Sequence, residues 1–364
     1  MRRPLRFGYT TGACAAAAAK GAALMLRDQR PVEAVELTLP AGMTVTFPLH
    51  GQRFDRASAA CGVIKDAGDD PDVTNGCEVR AEVRQGKRPF ENPGQSPVVI
   101  SGGTGIGRVT KPGLAVPVGA WAINPVPRRM ITEAVLEVFT AHDALLTPHV
   151  IISIPDGVER AGRTLNARLG IIGGLSILGT TGIVTPVSHQ AWTDTIDTAL
   201  QVALAAGCRQ VVASTGRSSE AIAERHLAWA EEAFILMGDH VGHLAAACAR
   251  HGVRELIVAA QFAKLVKIAC GHPQTHAAVA DLDLATLCGW GRAAGLDAAL
   301  IKRLELAHTA RELYQQLGPR HPFIALVAAR AIACLQEWAP GVRCGVLLAG
   351  YAGEPAVTFG TSFE

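Results

Sequence analysis

Lys264 and Lys267 stand three residues apart in a run whose other members, Leu265, Val266, Ile268 and Ala269, are apolar; Gly271-His272-Pro273-Gln274-Thr275-His276 follows directly. Residues so spaced share one face of a helix. Two ammonium groups on a mostly apolar face suit carboxylate binding as well as they suit a solvated surface. Asp239, in Gly238-Asp239-His240, lies 23 residues beyond Gly216. A doubly wound nucleotide domain sets a carboxylate at that place, where it accepts hydrogen bonds from ribose hydroxyls. The position suits the adenosine of NAD or of S-adenosylmethionine equally. His240 and His243 are also three apart, but no third ligand stands nearby, so no metal site is expected.

Three short apolar runs must position these groups. They are Val211-Val212-Ala213-Ser214, Phe234-Ile235-Leu236-Met237 and Leu256-Ile257-Val258-Ala259, each followed by a helix-like segment. Runs so short and so evenly spaced read as successive β-α units of a parallel sheet. Polar residues fall where these strands end. Thr215, Gly216, Arg217, Ser219 and Glu220 follow the first, Gly238 and Asp239 the second, and Gln261 to Lys267 the third. Ligands of open parallel sheets bind outside the carboxyl ends of the strands, so a cofactor site is expected there. A single glycine at Gly216 falls short of the G-x-G-x-x-G fingerprint, and Arg217 in the same turn counts against a pyrophosphate.

Earlier in the chain, Gly8-Tyr9-Thr10-Thr11-Gly12 runs into an alanine-rich segment to Leu26. This reads as a turn feeding a helix, capped by Thr10 or Thr11. Either the small residues serve tight packing, or the Thr-Thr-Gly terminus holds an anionic group. Val35 to Leu49 alternates like a hairpin turning at Ala41-Gly42. Asp66, Asp69, Asp70 and Asp72 crowd seven residues broken by Gly68 and Pro71. The stretch is a solvated turn, a hard-metal site or a source of a carboxylate with a raised pKa; its spacing does not fit a calcium loop. The Gly102–Gly107 loop after a strand at 97–100 resembles a phosphate cradle but lacks the Lys-Ser/Thr ending. Tight turns are its alternative. Ala122 to Met130 reads as a loop feeding a helix from Ile131 to Phe139, and Arg128 and Arg129 at that start point to carboxylate binding. A strand is expected at 149–155, a helix from about Trp192 to Ala206, mostly helix from His276 to Trp338, and a last strand at 342–349.

With 34 Lys plus Arg against 32 Asp plus Glu over 364 residues, no global field steers the chain toward nucleic acid or a membrane. Nine scattered cysteines, never in C-x-x-C spacing, argue against a disulfide framework and read as small core residues. Residues 169–193 carry no charge except at His189, but glycines and Pro186 break the stretch, so it reads as buried core rather than a span. Met1-Arg2-Arg3-Pro4 opens no secretory signal, which makes the cytoplasm the expected compartment. The domain boundary falls near Pro186, giving domains 1–187 and 188–364.

Arg6 to Gly12 before the alanine helix, Val63 to Gly76, Gly102 to Gly107, Ser214 to Glu220, and Lys264-Leu265-Val266-Lys267 with Thr275-His276 together resemble the cobalt-precorrin-5B C1-methyltransferase family of anaerobic cobalamin synthesis. The likeness spans nearly the whole chain in order. It implies an N-terminal α+β domain followed by a Rossmann-like parallel-sheet domain, an α/β and α+β fold. It implies methyl transfer from S-adenosylmethionine, the cosubstrate, to C1 of a small cobalt-corrinoid. Two places depart from the pattern: Asp239-His240, where the family commonly has Asn and an aromatic, and Gln261-Phe262-Ala263, where it has His-Pro-Gly. The many carboxylate arms of such a macrocycle require cations, and Lys111, Arg128, Arg129, Arg163, Arg168, Lys264 and Lys267 are the candidates, with Thr10 and Thr11 beside them. Asp66 and His276 are the candidates for handling the proton. A nicotinamide-dependent oxidoreductase and a non-catalytic tetrapyrrole carrier are the alternatives, and a homo-oligomer stays open.

Overall fold

An alanine-rich helix, Thr11–Asp28, is the element around which the first part of the chain folds. Thr10 is extended and its Oγ1 accepts the Ala13 N–H at 3.2 Å, capping one of the amides that a helix start leaves unpaired. Alanine side chains let the helix lie close against strands Ser58–Ile64 and Glu78–Lys87 and against a second helix, Pro125–Leu136. Gly21 marks the tightest approach, where a Cβ would press on Leu49 and Cys61.

The chain is described here by a computed structural model covering residues 5–87, 96–139, 146–351 and 356–360. It forms two compact units, Met1–His189 and Gln190–Glu364. In the first, His50–Phe54, Ser58–Ile64, Glu78–Lys87 and Leu146–Ser153 pair antiparallel in that spatial order, and Val99–Gly102 joins the far edge in parallel. The expected hairpin is present as Ala34–Thr38 against Thr44–Pro48, with Gly42 at φ +83° in its turn. Helices beside a mostly antiparallel sheet make this unit α+β.

The second unit bears out the repeat. Gln210–Ser214, Phe234–Leu236 and Glu255–Ala260 are its first three strands. Their spatial order places Gln210–Ser214 between the other two; Arg343–Leu348 continues the parallel sheet, and Val357–Phe359 closes it antiparallel. That final strand was not expected. Val211, Ala213, Leu256 and Val258 face helices Val241–Arg250, Phe262–Ala269 and Pro322–Trp338. Val212 and Ile257 face the other way, toward Ala223 and Leu227 of the segment that follows the first strand. Because strand side chains alternate faces, each run is apolar throughout. The chain therefore leaves the first and third strands toward opposite faces, which makes the gap between their carboxyl ends the switch point of the sheet.

Residues 169–193 hold two short strands, Ile171–Ile172 and Ile183–Val184, and the start of helix His189–Ala205. Among the described residues no helix is long and apolar enough to cross a membrane. The expected helix from Ile131 instead runs Pro125–Leu136. Proline has no N–H to lose in a first helical turn, so Pro125 and Pro127 open this helix rather than delay it. Most cysteines are buried, and burial pushes the thiols of Cys14, Cys61 and Cys248 up to about 12.

Candidate functional site

The second strand exits through Met237-Gly238-Asp239, and the third leads through Gln261 into helix Phe262–Ala269. These two strands flank the first, so a contact between their exits arches over the carboxyl end of Gln210–Ser214. Such a contact exists: Lys264 Nζ donates to Asp239 Oδ1. Thr275 completes it. Its hydroxyl donates to the same oxygen at 2.7 Å, and its N–H donates to the Asp239 carbonyl at 3.0 Å. The Thr275 carbonyl accepts from Lys264 Nζ and from Lys267 Nζ, each at 3.1 Å. Spacing and sequence order thus bring together Asp239, Lys264, Lys267 and Thr275, with His276 beside them.

Two ammonium groups converge on the Thr275 carbonyl here, and Lys264 also bonds the Asp239 carboxylate. Burial alone raises the Asp239 carboxyl, but the hydrogen bonds from Lys264 and Thr275 outweigh it and hold Asp239 below the ordinary aspartate range. Burial lowers the Lys267 ammonium, and the charge of Lys264 lowers it further. Among the described residues Lys267 bonds a carbonyl and no carboxylate. The cluster therefore carries surplus positive charge in a half-buried setting, where an anion gains more than on an open surface. His276 is exposed, and its Nδ1 accepts the Ala278 N–H at 3.2 Å. That bond leaves the ring proton of the neutral imidazole on Nε2, so in this geometry His276 presents a donor rather than a base.

At the end of the central strand, Thr215 and Gly216 lead into helix Arg217–His226, which has no side-chain cap. A Cβ at Gly216 would meet nothing within 4 Å. The Arg217 side chain is exposed, whereas Ser219 is buried and its hydroxyl is spent locally, donating to the Gly216 carbonyl at 2.8 Å and accepting the Gly216 N–H at 3.2 Å. Ser219 therefore shapes the turn. Glu220 is buried one turn into the helix.

Several residues expected at the substrate make hydrogen bonds or ion pairs within the protein. Thr10 caps its own helix, and Thr11 Oγ1 exchanges hydrogen bonds with the backbone of Leu178; both residues are buried. The Thr-Thr-Gly terminus thus serves packing, with Gly12 against Pro127. Arg128 is half-buried and donates to the carbonyls of Ile123, at 2.9 Å, and Trp121, so it ties the loop before its helix. Arg129 and Arg163 are exposed beside Glu133 and Glu159, each at 3.9 Å. Lys111 reaches the Arg168 carbonyl at 3.3 Å.

Asp66 also departs from expectation. Arg6 grips it with both terminal nitrogens, and those bonds with the Gly68 N–H hold its carboxyl below the ordinary range. It is not a carboxylate with a raised pKa. The same is true of Asp72, whose burial is outweighed by Lys65, which bonds it at 2.6 Å, and by Thr74. The Lys65 side chain is only 1% exposed. Its burial has a signal in the sequence, since Val63 and Lys65 share one side of an extended run and Val63 is core. The glycine loop 102–107 is a packing hub: Gly105, at φ +74°, lies against the backbones of Ile154, Gly157 and Gly174.

A family model described as CbiD matches residues 1–186, and one described as the CbiD C-terminal domain matches residues 274–358. The chain belongs to the CbiD family. Curated relatives named cobalt-precorrin-5B C(1)-methyltransferase include those of Geobacter sp. (strain M21), 54% identical, and Citrifermentans bemidjiense, 55% identical, each alignment covering 97% of this chain and 98% of the relative. A solved structure, a cobalamin biosynthesis protein (cbiD) from Archaeoglobus fulgidus, is 28% identical over 74% of this chain and 81% of its own, with a TM-score of 0.38. The C-terminal family model begins at Gln274, next to the threonine that joins Asp239 to the two lysines.

Proposed function

We propose that this chain transfers the methyl group of S-adenosylmethionine to C1 of cobalt-precorrin-5B, giving cobalt-precorrin-6A in anaerobic cobalamin synthesis. One observation carries the reading: identity above half, over nearly the full length, to relatives named for that reaction. The sheet edge supplies suitable chemistry. The sulfonium already activates the methyl group, so the protein's main work is to align donor and ring carbon. The C1–CH3 bond forms as the S–CH3 bond breaks, S-adenosylhomocysteine leaves, and one proton is lost from the corrinoid.

The donor lies along the carboxyl edge of the parallel sheet, at Thr215, Gly216 and Arg217 after the first strand and Gly238 and Asp239 after the second; Ser219 holds the turn between them in shape. Lys267 is the leading cation for a carboxylate arm of the substrate, since Lys264 already serves Asp239. Arg129, Arg163 and Lys111 are further candidates on the N-terminal unit. His276 presents its protonated Nε2 as a hydrogen-bond donor to the substrate, the ion pair with Arg6 gives Asp66 a supporting role, and the proton lost from the corrinoid passes to solvent. The reaction takes place in the cytoplasm on a small corrinoid, with neither nucleic acid nor membrane.

The test is anaerobic incubation with cobalt-precorrin-5B and methyl-labelled S-adenosylmethionine, followed by mass spectrometry of the corrinoid. A product heavier by one labelled methyl, with the label on C1, is the expected result. Unchanged corrinoid that co-elutes with the protein would sink the reading in favour of a carrier, and reduced-nicotinamide binding without donor binding would favour the oxidoreductase.

A further inference from the structure

Trp192 is 47% exposed, yet it is held in place from several directions. Its Nε1–H donates to the Met237 carbonyl at 3.1 Å. Gly238 follows at φ +59°, and a Cβ there would stand 3.0–3.1 Å from three atoms of the indole. Only glycine lets the backbone take this left-handed turn and lie against the ring edge. The His240 ring lies nearly parallel to the indole, 24° between planes and 6.4 Å between centroids. Gln274 Nε2 stands 3.4 Å from His240 Nδ1. A large aromatic side chain left in water is ordinary; one pinned flat beside a second ring, at the exit of a parallel strand, is a surface prepared for a planar partner.

Asp239, between Gly238 and His240, identifies the partner. Its Oδ1 accepts from both Lys264 and Thr275, and among the described residues Oδ2 accepts no hydrogen bond. An acceptor oxygen next to a flat aromatic surface matches a sugar diol joined to a heteroaromatic base. A carboxylate-bearing macrocycle would instead set like charges together at Asp239. We propose that Trp192 and His240 form the platform on which the adenine ring of the methyl donor stacks, with the ribose hydroxyls donating to Asp239 Oδ2. This rests on the S-adenosylmethionine reading and deepens it by naming which part of the donor is held at the second strand.

The test titrates the full-length chain with S-adenosylhomocysteine by calorimetry and by tryptophan fluorescence, and determines KM for donor and corrinoid separately. Loss of one base–aromatic stack is expected to raise the dissociation constant about tenfold or more in Trp192→Ala. Its kcat at saturating donor and its KM for corrinoid are expected to stay near wild type. Trp192→Phe should keep most of the affinity while losing the ligand-induced change in emission, because the other four tryptophans lie elsewhere in the chain. Equal affinity in wild type and Trp192→Ala would overturn the platform while leaving the donor reading intact, as would an effect confined to the corrinoid KM. Failure of the wild-type protein to bind S-adenosylhomocysteine at all would overturn both. His240→Ala gives an independent check: weaker donor binding supports the platform, and unchanged donor binding counts against it should Trp192→Ala not fold.

Discussion

Thr275 is wholly buried and holds Asp239 twice, side chain to side chain at 2.7 Å and backbone to backbone at 3.0 Å. The loop after helix Phe262–Ala269 is thereby fixed to the exit of the second strand, and its carbonyl is turned toward two ammonium groups. Thr275→Val removes the hydroxyl at almost constant volume and leaves Asp239 with Lys264 alone. A hydrogen bond to a charged group contributes about 1.5–3 kcal/mol, so kcat/KM is expected to fall by at least tenfold. Thr275→Ser should restore most of it. Steady-state kinetics of the two variants decide the matter; a fully active Thr275→Val would show the link to be dispensable.

Lys267 differs from Lys264 in having no carboxylate partner among the described residues, and this sets the two apart experimentally. Lys267→Met is expected to raise KM for the corrinoid roughly 10–100-fold, the range for a lost charge-assisted contact, with a smaller effect on kcat. Lys264→Met strands Asp239 beside Thr275 and should weaken donor and corrinoid together. A Lys267→Met enzyme with unchanged corrinoid KM would remove Lys267 from the binding site.

The depressed pKa of Lys267 has a pH consequence. Its charged form grips the carboxylate, so affinity is present at low pH and is lost as pH rises through the lowered value. Burial and the Lys264 charge bring that loss below the pH at which an ordinary lysine titrates. Corrinoid binding measured against pH should show an alkaline limb, and Lys267→Arg should displace the limb upward because guanidinium stays protonated. An identical limb in Lys267→Arg would assign it to another group.

Much of the C-terminal unit was legible because buried parallel strands are short unbroken apolar runs, and three of them recur at an even spacing. The exits of those strands carry polar side chains that have no role in the core, and for that reason Asp239, Gly216 and Lys264 stood out. Three N-terminal candidates, Thr10, Thr11 and Arg128, make hydrogen bonds that the sequence alone does not settle. A threonine before a helix and an arginine after a proline satisfy local backbone groups first, and composition does not say whether a hydroxyl or guanidinium is already spent. Thr10 and Thr11 are bound to their own backbone surroundings, and Arg128 donates through Nε and Nη2 to the loop before its helix. Trp192 was visible only as the start of a helix, since its value depends on Met237 and Gly238, far away in sequence. Lys65 stands beside four aspartates, of which Asp72 is its ion-pair partner.

The Lys65–Asp72 pair yields a stability prediction. Breaking a buried pair by removing one member costs about 3–5 kcal/mol, because the remaining charge is left without water or counterion. Asp72→Asn should destabilise the N-terminal unit by an amount in that range and lower its melting temperature by roughly 6–15 °C. The carboxyl of Asp72 is depressed in the folded state, so its contribution is fully present above the unfolded aspartate pKa and is lost as pH falls through the lower folded value. Thermal unfolding at neutral and acidic pH should therefore show the gap between wild type and Asp72→Asn closing on acidification. Lys65→Met in the Asp72→Asn background should recover part of the loss, and failure to do so would place the damage elsewhere.

Arg128 and Arg129 are neighbours in sequence with opposite expected phenotypes. Arg128 is held below its ordinary pKa by burial and closes the loop at Trp121 and Ile123, whereas Arg129 points its charge at solvent near Glu133. Arg128→Met removes two donors from backbone carbonyls and should cost about 1–3 kcal/mol of stability with the corrinoid KM unchanged in the folded fraction. Arg129→Met should leave stability within about 0.5 kcal/mol, as surface changes usually do, and raise the corrinoid KM if its charge meets a carboxylate arm. Melting curves and KM values for the pair separate the two roles. A raised KM in Arg128→Met with an unchanged melting temperature would reverse the assignment and return Arg128 to the substrate.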